Sequence, residues 1–180
     1  MHHQFRNIQD MSGTKLIEAL LALPANTSSL DLSWNDLGDR TGNELAEIFK
    51  SIPRNVTSLN LSGNGLGDRS GAALSQAFKE IPANVTSLDL SNNRLYYNKT
   101  DAAFSKIFKA ISAGVTMLDL RWNRLEGKNS TQMAKYFSAL SPNVKTVVMS
   151  SKASINLKDF WAQQQVTTEK VSNWLCFLTQ

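Results

Sequence analysis

The sequence lacks the residues on which several classes of protein depend. Cys176 is its single cysteine, so no disulfide can form within the chain, and we expect the protein to work in a reducing compartment. The only two histidines, His2 and His3, lie in a segment that is predicted to be a tail. A catalytic or metal-binding site built on histidine is therefore not expected on the folded body, and neither a metal nor another cofactor is expected.

Long runs of like charge and long apolar runs are also missing. The 19 basic and 15 acidic residues are scattered, with no basic stripe between aromatic residues, so nucleic acid is not an expected partner. No apolar stretch approaches the roughly 20 residues of a membrane-spanning helix. Residues 16–25 resemble a short signal core, but Glu18 interrupts it, and the segment aligns with the helical part of every later repeat. We therefore expect neither a signal peptide nor a membrane partner.

What the sequence does contain is a repeat. The pattern Leu-x-Leu-x-x-Asn-x-Leu begins at Leu30, Leu59, Leu88 and Leu118, at spacings of 29, 29 and 30 residues. A fifth copy, which starts at Val144, keeps the apolar positions but has Lys152 where the asparagine is expected, so we interpret it as a degenerate terminal copy. A fixed period of this length is typical of a solenoid.

Between these patterns, apolar residues recur with the spacing of one helical face. Asp39 and Asp68 are predicted to mark helix starts, as are the capping pairs Thr41 with Glu44 and Asn129 with Gln132. A proline follows four of the helices within a few residues and favours their ends. The predicted apolar stripes lie within 16–23, 45–52, 74–81, 104–111 and 133–140.

A strand, a helix and a second strand within about 29 residues form a parallel crossover, which is almost always right-handed. Strands stack about 4.8 Å apart, whereas helices need about 10 Å. The sheet must therefore line the inside of a curve. The predicted fold is an α/β solenoid, a short right-handed horseshoe with a concave parallel sheet of five strands and convex helices.

With the valine that precedes most copies, the full pattern Val-x-x-Leu-x-Leu-x-x-Asn-x-Leu resembles the leucine-rich repeat of the ribonuclease-inhibitor-like class. The resemblance covers about residues 14–154. Residues 1–13, in which Phe5, Ile8 and Met11 have helix-like spacing, are expected to form an N-terminal cap. Residues 155–180 are expected to form C-terminal capping helices, on the apolar spacing of Val171, Trp174, Leu175 and Leu178.

The repeated asparagines Asn35, Asn64, Asn93 and Asn123 are predicted to satisfy main-chain groups that each turn leaves unpaired. The residues between the leucines face outward and are free to act. They include an acidic column of Asp31, Asp89 and Asp119, which Asn60 interrupts. This column is either a solvated row or a set of carboxylates for a basic partner.

Trp34 and Trp122 are the most informative outward residues, because nothing in a repeat requires an indole there. Exposed tryptophan beside arginine is typical of an interaction hot spot, and Arg94, Arg121 and Arg124 lie near Trp122 in the pattern. Alternatively, each indole folds over its own turn. The candidate binding residues are Asp31, Ser33, Trp34, Asp89, Asn92, Arg94, Asp119, Arg121, Trp122 and Arg124.

Residues 81–95, and their near-copy at 52–66, are similar to the repeat of leucine-rich-repeat effectors from Legionella-type intracellular bacteria. That resemblance implies secretion from a bacterium into the host cell cytoplasm and binding to a host protein or a companion effector. It does not extend to the ubiquitin-ligase effectors, because Cys176-Phe177-Leu178 departs from their Cys-x-Asp motif.

We therefore expect a non-enzymatic protein-protein interaction module that acts through its concave face and is a monomer when unbound. The alternative is an adaptor that recruits a host enzyme complex through its convex or C-terminal helices. A hydrolytic enzyme is a more distant third reading.

Overall fold

The computed structural model describes residues 1–125, 128–149 and 154–156. Strands and helices alternate along the chain, and two short 3₁₀ turns, Leu37–Asp39 and Leu66–Asp68, precede the second and third helices. The strands are β1 (His2–Gln4), β2 (Ser29–Asp31), β3 (Ser58–Asn60), β4 (Ser87–Asp89), β5 (Met117–Asp119), β6 (Thr146–Val148) and β7 (Ser154–Asn156). The helices are α1 (Gly13–Leu21), α2 (Gly42–Lys50), α3 (Gly71–Lys79), α4 (Asp101–Ala110) and α5 (Ser130–Phe137).

The strands form one sheet in the order of the sequence. Strands β1 to β6 are parallel, and β7 is antiparallel to β6. The first leucine of each repeat pairs with its copy in the next strand, which places Leu30, Leu59, Leu88, Leu118 and Val147 in one row. The constant period explains this register, because equivalent side chains then stack from repeat to repeat. The sheet and helices confirm the predicted solenoid.

The number of strands differs from the expected five, because β1 and β7 extend the sheet. Residues His2–Gln4 pair with β2, and Phe5 N–H donates to Asp31 O at 2.9 Å, so the two histidines are not in a tail. The helix-like spacing of Phe5, Ile8 and Met11 is also misleading, since the first helix begins only at Gly13. Ile8 is nevertheless buried and belongs to the hydrophobic core.

The helices bury the predicted apolar stripes against the sheet, except that Ala19 and Leu23 of the first stripe are only half-buried. Both predicted capping pairs are confirmed, at Thr41 with Glu44 and at Asn129 with Gln132. Asp39 and Asp68 do not cap helices. They lie in the 3₁₀ turns, and the caps follow two residues later. The five capping side chains are Ser12, Thr41, Ser70, Thr100 and Asn129.

The predictions for the C-terminal part of the chain fall mostly outside the described residues. This applies to Lys152 and to the capping helices after residue 156, with Val171, Trp174 and Leu178. Ile155 and Asn156, at the start of that segment, belong to β7.

The repeated asparagines are buried, and each joins two neighbouring repeats. The Asn64 amide nitrogen donates to Leu32 O of the preceding repeat at 2.9 Å, and to Leu61 O and Ser62 O of its own repeat. Its amide oxygen accepts from the N–H groups of Asn35 and Leu37. Without this side chain, the Leu32 carbonyl and the N–H groups of Asn35 and Leu37 would be buried without partners, which confirms the structural interpretation.

We expect Asn93→Ala to lower the free energy of unfolding by about 3 kcal/mol, because it leaves the buried N–H groups of Asn64 and Leu66 unpaired. Urea denaturation followed by circular dichroism measures the change. Asn43→Ala is the matched control, since Asn43 is exposed on α2 and accepts one hydrogen bond, from Gln76 at 3.3 Å. The control should change stability by no more than about 0.5 kcal/mol. Equal losses in the two variants would contradict the structural role of Asn93.

Candidate protein-binding surface

The acidic column of the sheet has a structural role that the sequence analysis missed. In each repeat a side-chain oxygen of this column accepts a hydrogen bond from the main-chain N–H two residues later, at 2.8–3.0 Å. An asparagine amide does this as well as a carboxylate, which explains Asn60. The second carboxylate oxygen remains for other contacts. That of Asp31 accepts from Gln4 Nε2 at 2.9 Å, whereas that of Asp89 accepts no hydrogen bond within the described part of the chain.

Asp89 and Asp119 are direct neighbours in the sheet, so their charges repel. Arg121 relieves this repulsion. Its Nε donates to both carboxylate oxygens of Asp119, at 3.0 and 2.8 Å, and its Nη2 lies 2.5 Å from Asp119 Oδ2. The hydrogen bond with Asp119 also raises the pKa of Arg121. Arg121 and Asp119 are therefore already paired within the chain before any partner binds.

The loops that follow the strands hold their outward residues in an unusual main-chain conformation. The residue on each side of the buried asparagine has a positive φ, between 52° and 68°. Glycine and asparagine tolerate this left-handed conformation, whereas a bulky side chain is strained there. The positions are Trp34, Gly63, Asn92 and Trp122 before the asparagine, and Asp36, Gly65, Arg94 and Arg124 after it.

Trp34 and Trp122 occupy these strained positions and remain 68% and 56% exposed. The Trp34 indole lies against the turn of the next repeat. A methyl group added to Gly63 would come within 2.4 Å of an indole carbon, so that glycine makes room for the ring. The Arg121 guanidinium carbon lies 5.2 Å from the centre of the Trp122 ring. Ser151, the counterpart of Gly63 beside Trp122, lies outside the described residues.

The ten predicted residues therefore form two rows. Asp31, Asp89 and Asp119 lie in strands, and Trp34, Asn92, Arg94, Trp122 and Arg124 lie in the loops after them, with Ser33 and Arg121 between the rows. Contacts join Asp119, Arg121 and Trp122. Trp34 is three strands away, roughly 14 Å at the usual strand spacing. Ser33 and Asn92 are half-buried, whereas both indoles, Arg94 and Arg124 are exposed.

Met117 is a surface residue that the sequence analysis did not identify. It lies in β5 and is 50% exposed. In the register of the sheet its neighbours are Ser87 and Thr146, and the same column continues with Ser58 and Ser29. An exposed methionine in a column of small hydroxyl residues was the available signal. Met117 shares the outer face of β5 with Asp119 and adds apolar area beside it.

The one-residue insertion that lengthens the third period lies in the loop of Tyr96 and Tyr97. Tyr96 packs edge-on against Phe104, with ring centres 5.2 Å apart. Tyr97 is exposed, and the Arg124 guanidinium carbon lies 4.9 Å from its ring centre. Tyr96 thus covers the next helix, while Tyr97 extends the loop row of the surface.

A carboxylate beneath this loop holds it in place. The hydroxyl groups of Tyr136 and Tyr96 both donate to Asp101 Oδ1 at 2.5 Å, and Gln132 Nε2 donates to Oδ2 at 3.1 Å. These hydrogen bonds, that of Tyr136 first, lower the pKa of Asp101 to about 2. Burial, and then the bond to Asp101, raises the pKa of Tyr136. Lys128 lies 3.6 Å from the centre of the Tyr96 ring.

Comparisons with known proteins agree with this geometry. Leucine-rich repeat family profiles match residues 28–45, 53–75 and 84–107. The crystal structure of the leucine-rich repeat-containing protein LegL7 from Legionella pneumophila matches 83% of the chain, with 38% sequence identity and a TM-score of 0.75. The chain is a leucine-rich repeat protein. It spans 45% of the length of the LegL7 chain. No curated protein matches it.

Leucine-rich repeat domains generally bind other proteins, and the repeats support a protein-interaction module here. Within the residues that the structure describes, no three histidine, cysteine, aspartate or glutamate side chains are placed to hold a metal ion. Among the described helices of this leucine-rich repeat protein, none has the length and apolar character to cross a membrane.

We expect Trp122→Asn to be more stable than Trp122→Val by at least about 1 kcal/mol, because asparagine tolerates the left-handed conformation and a β-branched side chain does not. Urea denaturation of the two variants measures the difference. The same exchange at Lys135, an exposed residue of α5, is the control and should separate the variants by less than about 0.5 kcal/mol. Equal stability of the two Trp122 variants would contradict the left-handed conformation.

We also expect Asp101→Asn to lower the melting temperature at pH 7. The depressed pKa of Asp101 means that its ionised form stabilises the folded state above the unfolded pKa of about 4, and that this contribution is lost as the pH falls through about 2. The difference in melting temperature between the wild type and Asp101→Asn should therefore become smaller between pH 5 and pH 2. Asp10→Asn removes an exposed carboxylate and is the control. A gap that does not depend on pH would refute the role of the ionised carboxylate.

Proposed function

We propose that this chain is a non-enzymatic module that recognises one folded protein through the outer face of its sheet and the loops after the strands. The observation that carries the proposal is the placement of Trp34 and Trp122. Both are large, exposed and held at a main-chain conformation that disfavours them, whereas Gly63 and Asn92 fill the equivalent positions at lower cost. Stability alone does not account for the two indoles, and binding does.

The distribution of exposed apolar side chains favours this surface over the convex helices. In the described part of the chain, Leu21 is the only large exposed hydrophobic residue that lies on a helix. Met1 is also exposed, at the start of the chain. The remaining ones, on strands or on the loops after them, are Trp34, Tyr97, Met117 and Trp122. We therefore favour the concave-face reading over an adaptor that recruits an enzyme complex through its helices.

The charges indicate what kind of surface the partner presents. Arg94 and Arg124 are exposed near Trp122 in the repeat pattern, so this half of the surface suits an acidic patch with an apolar pocket for the indole. Arg121 contributes less charge, since Asp119 already neutralises it. Near Trp34, Asp31 and the exposed Asp36 suit basic residues of the same partner.

We further propose that the protein is a bacterial effector that acts in the host cell cytoplasm, as a monomer until it binds a host protein or a companion effector. Its similarity to a Legionella pneumophila protein supports this origin. Covering part of the partner's surface is the simplest way in which such a module changes the partner's activity. The partner would then be inhibited for as long as the complex lasts.

The test compares the wild type with Trp34→Asn/Trp122→Asn, a variant that keeps the main chain relaxed while removing both indoles. Each is immobilised and exposed to lysate from eukaryotic cells and, separately, from the bacterium. Proteins retained only by the wild type are identified by mass spectrometry. The partner is then purified and titrated by calorimetry, and we expect Trp122→Asn alone to weaken binding by about tenfold or more.

The matched control for binding is Lys106→Ala/Lys135→Ala, which alters exposed residues of α4 and α5 on the helical side. It should change the dissociation constant by less than about twofold. If Lys106→Ala/Lys135→Ala abolishes binding of the partner and Trp34→Asn/Trp122→Asn retains it, the concave-face proposal is wrong. The protein is then better described as an adaptor that binds through its helices.

A further inference from the structure

A second surface runs along the edge of the sheet opposite to the tryptophan loops. It is an open groove of about 1,100 Å³ between the ends of the helices and the starts of the next strands. Because β1 to β6 are parallel, all of these helix ends meet at one edge and all of the tryptophan loops at the other. The groove crosses the repeats that contain α2 to α5.

The charged residues of this groove are mostly of one sign. Lys50, Lys79 and Lys109 occupy equivalent places at the ends of α2, α3 and α4, and Arg54 adds a fourth cation. Among the lining residues in the described part of the chain, Glu80 is the sole carboxylate. All four cations are exposed, and none of them forms an ion pair in the described part of the chain. The groove therefore carries an uncompensated positive charge.

Lysine at the end of a helix also complements the helix dipole, which is the structural explanation for such residues. That explanation does not cover Arg54, which lies in a loop. Nor does the fold require a lysine at this position, because the equivalent residues are Leu21 at the end of α1 and Ser138 after α5. The cations are thus confined to the middle repeats, where the groove is.

The floor of the groove is apolar and built from small or nearly buried side chains. Ile52, Ile81 and Ile111 are 2–4% exposed and lie beneath it, and Ala83 and Ala113 form parts of its wall. An apolar floor below a cationic border suits a chain segment that enters the groove with small apolar side chains and presents carboxylates to the lysines. A flat membrane surface would contact the cationic border but would not fill the apolar floor, so a chain segment uses more of the groove.

We propose that this groove binds an extended acidic segment of a partner protein. Packed helices lie 8–10 Å apart, and an extended chain advances about 3.3 Å per residue. Carboxylates at every third residue of the segment would therefore meet Lys50, Lys79 and Lys109 in turn. This site is separate from the tryptophan surface, so one partner can engage both edges or two partners can bind together.

The probe is a fluorescent peptide of about 12 residues with glutamate at every third position and alanine, serine or valine between, measured by anisotropy at about 50 mM salt. We expect binding that Lys50→Ala/Lys79→Ala/Lys109→Ala weakens by about tenfold. Lys15→Ala/Lys106→Ala/Lys135→Ala removes the same charge from exposed residues outside the groove and should weaken binding by less than about twofold. A peptide of the same composition with clustered glutamates should bind more weakly than the spaced peptide.

Arg54→Ala is a second groove variant that leaves the helix ends unchanged, and it should also weaken binding. Trp122→Asn should leave peptide binding unchanged, so this test is independent of the tryptophan surface. The proposal is overturned if the spaced peptide does not bind, or if the groove and control triple variants weaken it equally. It is also overturned if vesicles that contain phosphatidylserine bind through the three lysines while the peptide does not.

Discussion

The buried asparagine of each repeat is the interaction on which the rest of the structure depends. Its amide joins the turn of one repeat to that of the next, as the bonds of Asn64 to Leu32 O and to Asn35 N–H show. To aim this side chain inward, the main chain takes a left-handed conformation on both sides of it. The same constraint that holds the repeats together thus creates two outward positions in every repeat. Glycine or asparagine meets the constraint there at little cost, whereas Trp34 and Trp122 do not, which is why the proposed binding surface is centred on them.

The repeated part of the fold could be predicted from the sequence because its determinants are periodic side chains. The leucine rows, the asparagines and the capping box at Thr41 all rest on residue types whose role is local. Strand β1 could not be predicted, since His2–Gln4 carries no leucine and pairs with β2 through main-chain hydrogen bonds and polar side-chain contacts. The hydrogen bonds that the aspartate column accepts from main-chain N–H groups could not be predicted for a similar reason. The sequence shows a row of charges, whereas the hydrogen bond from the Ser91 N–H to Asp89 becomes visible only with coordinates.

The candidate surface could be predicted only in part. The loop residues on each side of the asparagine are mostly exposed, but Ser62 and Ser91, which were expected to face outward between the leucines, are buried. The contacts of the exposed residues depend on which residue of the neighbouring repeat lies beside them. Trp34 rests on Gly63 of the next repeat, and Arg121 is committed to Asp119 within its own. Such pairings set how much charge and apolar area remain for a partner. The parallel sheet adds a second consequence that no single repeat reveals, because it collects the turn residues at one edge and the helix ends, with their lysines, at the other.

The inserted residue near Tyr96 shows how the fold changes its surface without losing its repeat. In the two preceding repeats this place is Gly38 or Gly67, where an added methyl group would lie 2.0–2.2 Å from a carbonyl oxygen of the next repeat. Tyr96 still donates its main-chain N–H to Asn123 O at 3.2 Å, so the hydrogen bond between neighbouring repeats is kept. The extra residue makes room for the tyrosine ring, which Asp101 then anchors through the hydroxyl group. Because Tyr97 follows directly, the anchor beneath the loop also fixes where an exposed aromatic ring meets Arg124. Core stability and surface chemistry are therefore coupled at this loop. A substitution that removes the hydrogen bond between Tyr96 and Asp101 is expected to change the exposed surface as well as the stability.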